Sequence, residues 1–240
     1  MSTIQLTTNG LIFQRVTGKI IMDTLRQPMA HKYLKDADYA PMWSIAADID
    51  KCQNCYLCDM PHVLWKGNPY ARIALVGQCP GKQEHIKGVP WCGPAGQLLD
   101  RAFESVDLPI KDSVFITNIV KARPIAPTDS GRENIDPNKE SVRLCSTFVY
   151  RELAAMKGLE VVLVAGKIAA VGLGIASQHE PMYKLSGSVR SLNVDGKDIP
   201  TITIYHTAAI LHNKDVEQDA KMRWSIYNAL KLARKITFKQ

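Results

Sequence analysis

Two apolar runs that each stop at a signature turn constrain this chain more than any other feature. Arg72-Ile73-Ala74-Leu75-Val76 runs into Gly77-Gln78-Cys79-Pro80-Gly81, and Ile199-Pro200-Thr201-Ile202-Thr203-Ile204 runs into Tyr205-His206-Thr207-Ala208-Ala209-Ile210-Leu211. Between them lie Val114–Asn118 and Val161–Ala165, two further buried-strand patterns, the second followed by Gly166. Helical periodicity fills the intervals. Leu98, Leu99, Ala102, Phe103 and Val106 mark a helix over Gln97–Val106, another is predicted from near Asn138 to Met156, and Val216–Lys235 closes the chain. Asp195-Gly196 between Val189–Val194 and Asp198–Ile204 signals a hairpin, and Arg123–Pro137 reads as a loop. Strands alternating with helices predict an α/β fold: a three-layer α/β/α sandwich around a mainly parallel central sheet. Ligands of such sheets bind outside the carboxyl ends of the strands, where Gln78, Asn118, Gly166 and His206 would converge.

Residues 1–50 lack this regularity. Pro28, Pro41 and the mixed-charge stretch His31-Lys32-Tyr33-Leu34-Lys35 predict an N-terminal extension with one or two short helices, leaving 51–240 as the domain. No stretch reaches the roughly 18 apolar residues of a membrane span, and the first ten residues lack the order of a signal peptide. A cytoplasmic protein without membrane contact is the expectation. The net charge of +7 favours a polyanionic partner, most commonly nucleic acid.

Six cysteines in such a chain argue for thiol or metal chemistry rather than disulfides. Cys52, Cys55 and Cys58 form a C-x2-C-x2-C run, a spacing used for iron–sulfur clusters. Zinc is the rival, with Cys145 or His62 completing a tetrahedral set. Unliganded thiols are the third reading.

The Gly77–Gly81 turn continues into Gly88-Val89-Pro90-Trp91-Cys92-Gly93-Pro94-Ala95-Gly96-Gln97-Leu98-Leu99-Asp100. Together with the His206 segment, this run resembles the uracil-DNA glycosylase superfamily, and within it the iron–sulfur branch called family 4. The likeness spans residues 50 to 235. It implies a DNA glycosylase that flips uracil out of DNA and hydrolyses its N-glycosidic bond, leaving an abasic site. A monomer associated with the nucleoid is implied as well. No motif places a lysine for Schiff-base chemistry, so a monofunctional enzyme is expected.

The resemblance also assigns roles. Trp91 stands where the family has a Phe that stacks on the base, beside Cys79 in the base pocket. Asn118 offers a donor and an acceptor to O4 and N3–H of uracil. His206 supports the leaving base, and Ile210 and Leu211 form the wedge that fills the gap in the duplex. Gln78 replaces the family's Glu: it can position water but cannot take a proton. Glu84 is then the remaining carboxylate, and His85 stands where Asp is common. Thr207 replaces a Pro, which predicts a looser loop. Lys66, Lys82, Lys87, Lys121, Arg123 and Arg132 are candidate phosphate contacts.

For the [4Fe–4S] cluster that the resemblance implies, Cys52, Cys55 and Cys145 match three of four ligands. The fourth position is Ala122, within Val120-Lys121-Ala122-Arg123-Pro124. A three-cysteine cluster, a cluster completed by Cys58 and a zinc site all remain open, each stapling the N-terminal segment to the Cys145 helix. The departures at 78, 85 and 91 also admit a modified pyrimidine, including one from viral DNA, as substrate. A catalytically weak or inactive DNA-binding module serving a replication or repair partner is the alternative class.

Overall fold

The computed structural model describes residues 40–108, 113–128 and 131–238; the charged stretch around His31 lies outside them. In chain order the elements are α1 Ala40–Asp50, β1 Lys66–Gly67, β2 Ile73–Gly77, α2 Lys82–Lys87, α3 Pro94–Glu104, β3 Val114–Asn118, β4 Ile125–Thr128, β5 Gly131–Asn134, α4 Lys139–Ala155, β6 Val161–Ala165, α5 Lys167–Gly172, α6 Met182–Leu185, β7 Val189–Val194, β8 Lys197–Ile204, α7 Thr207–His212 and α8 Val216–Phe238.

Six strands form one sheet in the order β1-β3-β2-β6-β8-β7. The four inner strands are parallel, and the edge strands β1 and β7 run antiparallel to their neighbours. β2, β3 and β6 are buried at every position because both their faces are covered, and β8 is buried from Thr201 to Ile204. Along β2, Ala74 and Val76 pack toward α1, α4 and α5, whereas Ile73 and Leu75 pack toward α3 and α8. The chain leaves β2 for β3 on one side and later enters β6 on the other. That reversal opens a crevice at the carboxyl end of β2, flanked by the ends of β3 and β6.

Local chemistry sets the helix starts. Gly93 caps α3 and Pro94 occupies its first turn, so the helix begins three residues ahead of the predicted start at Gln97. The Asn138 side chain caps α4 by accepting the Ser141 N–H at 2.8 Å. The segment read as a loop over Arg123–Pro137 folds back on itself as the β4–β5 hairpin. Its prolines are compatible with an isolated two-stranded ribbon, where one missing donor is tolerated. The extension assigned to residues 1–50 ends in a helix that belongs to the packed domain: Met42, Ile45, Ala46 and Ile49 of α1 are buried in the same core as α4. Pro41 looks like a breaker but sits in the first turn, where its missing N–H costs nothing.

Lys121 and Glu152 form a buried ion pair at 2.7 Å, 1% and 0% exposed. Thr117 completes it, accepting from Lys121 Nζ at 2.7 Å and donating to Glu152 Oε2 at 2.9 Å. Removing one partner of such a pair strands a charge, typically at about 3–5 kcal/mol. Lys121 is therefore no phosphate contact. Arg123 is buried too, its Nε donating to Asn134 Oδ1. Lys82 and Lys87 are exposed, and the Arg132 side chain lies outside the described residues.

Candidate functional site

A cavity of about 610 Å³ opens at the crevice. Its lining gathers Gln78, Cys79, Glu84, Trp91, Asn118 and His206 from five separate segments of the chain.

Asn118 is the last residue of β3 and is buried. Its Oδ1 accepts the indole N–H of Trp91 at 3.1 Å. The same indole stacks on the His206 ring, with centroids 4.7 Å apart and planes inclined by 23°. Trp91 is 4% exposed, so its ring fills the space between the carboxamide and the imidazole. Gly77 makes this possible: a Cβ there would stand 2.4 Å from Asn118 Oδ1 and 2.6 Å from the indole. Trp91 holds a left-handed backbone, φ 55°, which is unusual for a bulky residue. Its carbonyl accepts from Lys66 Nζ at 2.9 Å, and a Cβ at Gly96 would lie 1.9 Å from that oxygen. Lys66 is thus occupied in holding this loop.

His206 caps α7, its Nδ1 accepting the Ala208 N–H at 3.2 Å. A neutral ring that accepts at Nδ1 carries its proton on Nε2. Burial pushes its pKa down to about 4, so the ring is neutral near pH 7. It is then a fixed neutral donor. The loop is not loose at Thr207: Oγ1 donates to the Ala95 carbonyl at 2.7 Å and ties α7 to the start of α3.

Glu84 lines the cavity, but both its oxygens are engaged by backbone amides, Oε2 by Gly81 at 3.1 Å and Oε1 by Gly93 at 3.2 Å. It clamps the two glycine turns together. Gln78 Nε2 donates to Asp136 Oδ1 at 2.7 Å. Asp136 follows the β4–β5 hairpin and is an exposed carboxylate of the lining that sequence reasoning missed. Fifty-eight residues separate it from Gln78, and no motif surrounds it. Burial, followed by the Asp136 charge, pushes the Cys79 thiol up to about 12, so Cys79 is a neutral wall rather than a nucleophile.

The two residues read as a wedge face different ways. Ile210 is 2% exposed and packs in the core with α3 and α8, whereas Leu211 is 44% exposed. A six-residue helix anchored by one apolar residue presents the next one outward, so Leu211 alone is available to enter a duplex.

Cys52, Cys55, Cys58 and Cys145 line one small cavity between the end of α1 and α4, together with His62 and Ala122. Among the described residues, no three His, Cys, Asp or Glu side chains converge as ligands of a single ion. A [4Fe–4S] cluster asks for a different arrangement, in which each donor meets a separate iron. The donors fit that group in number and chemistry, and one buried atom is unclaimed: His62 Nδ1 has no hydrogen-bond partner.

The Uracil DNA glycosylase superfamily profile matches residues 64–231. A Type-4 uracil-DNA glycosylase of Archaeoglobus fulgidus is 32% identical over 179 residues, covering 73% of this chain and 85% of the relative. The protein of that name from Saccharolobus solfataricus is 30% identical over 72% of this chain and 79% of its own length. The one from Thermotoga maritima is 27% identical over 72% and 84%.

Proposed function

Because the chain belongs to the uracil DNA glycosylase superfamily, we propose that it is a monofunctional DNA glycosylase hydrolysing the N-glycosidic bond of uracil in DNA. The observation that carries this reading is the slot between Asn118 and His206. A flat heteroaromatic ring already lies in it, hydrogen-bonded through a ring N–H to Asn118 and stacked against His206. A flipped pyrimidine offers the same features, a planar ring with N3–H aimed at the carboxamide oxygen. The indole must withdraw to let it in, then can stack on it.

In this mechanism the C1′–N1 bond breaks with its electron pair passing to the base, and the sugar develops positive charge. His206 Nε2–H donates to the oxygen where the anion collects; a neutral donor suits a leaving group that departs as an anion. Water attacks C1′, held by the Gln78 carboxamide, and gives its proton to the free oxygen of Asp136. Glu84 positions the two glycine turns, Cys79 walls the base pocket, and Leu211 fills the vacated stack. Cys52, Cys55 and Cys145 would hold a [4Fe–4S] cluster, whose contribution would be to cross-link the segment after α1 to α4 rather than to take part in bond cleavage.

Excision from labelled single- and double-stranded oligonucleotides, developed with alkali, tests this reading. Alkali-dependent cleavage at uracil that falls at least about 100-fold in Asn118→Ala and His206→Ala supports it. One observation favours a second reading: the slot is filled by the chain's own side chain, as it would be in a DNA-binding module that excises nothing. Tight DNA binding without cleavage of uracil or 5-substituted pyrimidines would establish that reading instead. Cleavage at a modified base alone would keep the mechanism and change the substrate.

A further inference from the structure

We infer that His62 is the fourth ligand of the cluster, in place of the cysteine absent at Ala122. The inference rests on the reading that the cysteine segment holds a [4Fe–4S] group.

Strand register carries it. His62 and Ala122 are directly opposed in an antiparallel bridge, held beside it by the Val63 N–H to Lys121 carbonyl bond at 2.6 Å. Opposed residues project to the same face with Cβ atoms roughly 5 Å apart. A side chain on 62 therefore reaches the space that a side chain on 122 would enter, and imidazole, longer than a thiol, offsets its origin on the neighbouring segment. His62 lines the same small cavity as Cys52, Cys55 and Cys145.

Burial supplies an independent argument. His62 is 8% exposed, and its buried Nδ1 has no hydrogen-bond partner. Such an orphan is unfavourable in a core, and bonding to iron removes the penalty. Neutral imidazole is an established donor to iron–sulfur centres and raises their potential relative to thiolate. Cys58 also lines the cavity, but its amide bonds the Cys55 carbonyl at 3.1 Å, in the turn that already supplies Cys52 and Cys55. His62 approaches on the segment paired with Ala122.

The test uses the full chain purified anaerobically, read by iron and sulfide content and by pulsed electron paramagnetic resonance of the reduced protein. The expected result is a cluster with nitrogen hyperfine coupling that changes on ¹⁵N labelling of histidine. His62→Cys should keep the iron, lose that coupling and lower the reduction potential. His62→Ala should lose cluster iron, and adding Ala122→Cys should restore it. Full iron in His62→Ala together with loss in Cys58→Ser would overturn the inference and leave the cluster. Absence of nitrogen coupling in the wild-type cluster would do the same. Stoichiometric zinc without iron would remove the cluster reading itself.

Discussion

The Trp91 indole N–H donates to Asn118 Oδ1 at 3.1 Å, so the carboxamide proposed to read the substrate base is bonded to the chain's own side chain. Binding of a base exchanges one ring N–H donor for another. The net gain is then small until the indole finds a new stacking position.

Trp91→Phe keeps an aromatic face and removes the competing donor. It should tighten inhibition by free uracil by about 2- to 10-fold, the worth of one ordinary hydrogen bond. Trp91→Ala should weaken it, because stacking is lost as well. Inhibition constants for the two variants against wild type check the pair; looser binding in Trp91→Phe would deny the competition.

The depressed pKa of His206 fixes a pH window. In the unfolded chain the ring takes a proton near 6.5, whereas in the folded protein burial delays this to about 4. The unfolded state therefore binds more protons between these values, and stability falls as pH drops from 6.5 toward 4, by up to about 3 kcal/mol from this group. Urea denaturation at pH 7, 5.5 and 4.5 should show this slope, reduced in His206→Gln. The acid limb of kcat should lie near 4, with no inflection at 6.5.

Gln78 and Asp136 share one hydrogen bond at 2.7 Å. Gln78→Glu, which restores the family's carboxylate, should not raise excision by itself, because two carboxylates at that separation cannot both ionise freely. Its pH profile should gain a group titrating above the usual carboxylate range. Gln78→Glu combined with Asp136→Asn moves the charge and should recover the single mutant's loss. Asp136→Asn alone should lower kcat by about 100-fold with little change in KM.

Leu211 and Ile210 should separate cleanly. Leu211→Ala should slow excision from duplex DNA more than from single strands, because only a duplex has a gap to fill. Ile210→Ala should instead cost about 2–4 kcal/mol of stability, measured by chemical denaturation.

The parallel core was legible because its strands are covered on both faces and read as unbroken apolar runs. Asn118 and His206 were legible because they end such runs, and topology sends strand ends to one crevice. Asp136 was not: it enters the site through a hairpin whose prolines read as loop. Burial of Lys121 was also hidden, since its partner Glu152 lies 31 residues away on α4. Even α1 carries its apolar residues at helical spacing, yet Pro41 masks the pattern until the first turn is recognised. Side-chain rotation has no sequence signature, so the indole's position in the slot was beyond reach.

The floor of the slot is bare backbone at Gly77, while its wall is the Trp91 side chain. A floor of that kind does not yield to mutation: any larger residue collides with Asn118 and the indole together. The wall changes with a single codon. On the proposed function, selectivity for the excised base is therefore evolvable at Trp91 and frozen at Gly77, and a lineage drifting toward bulkier bases would have to move first at 91.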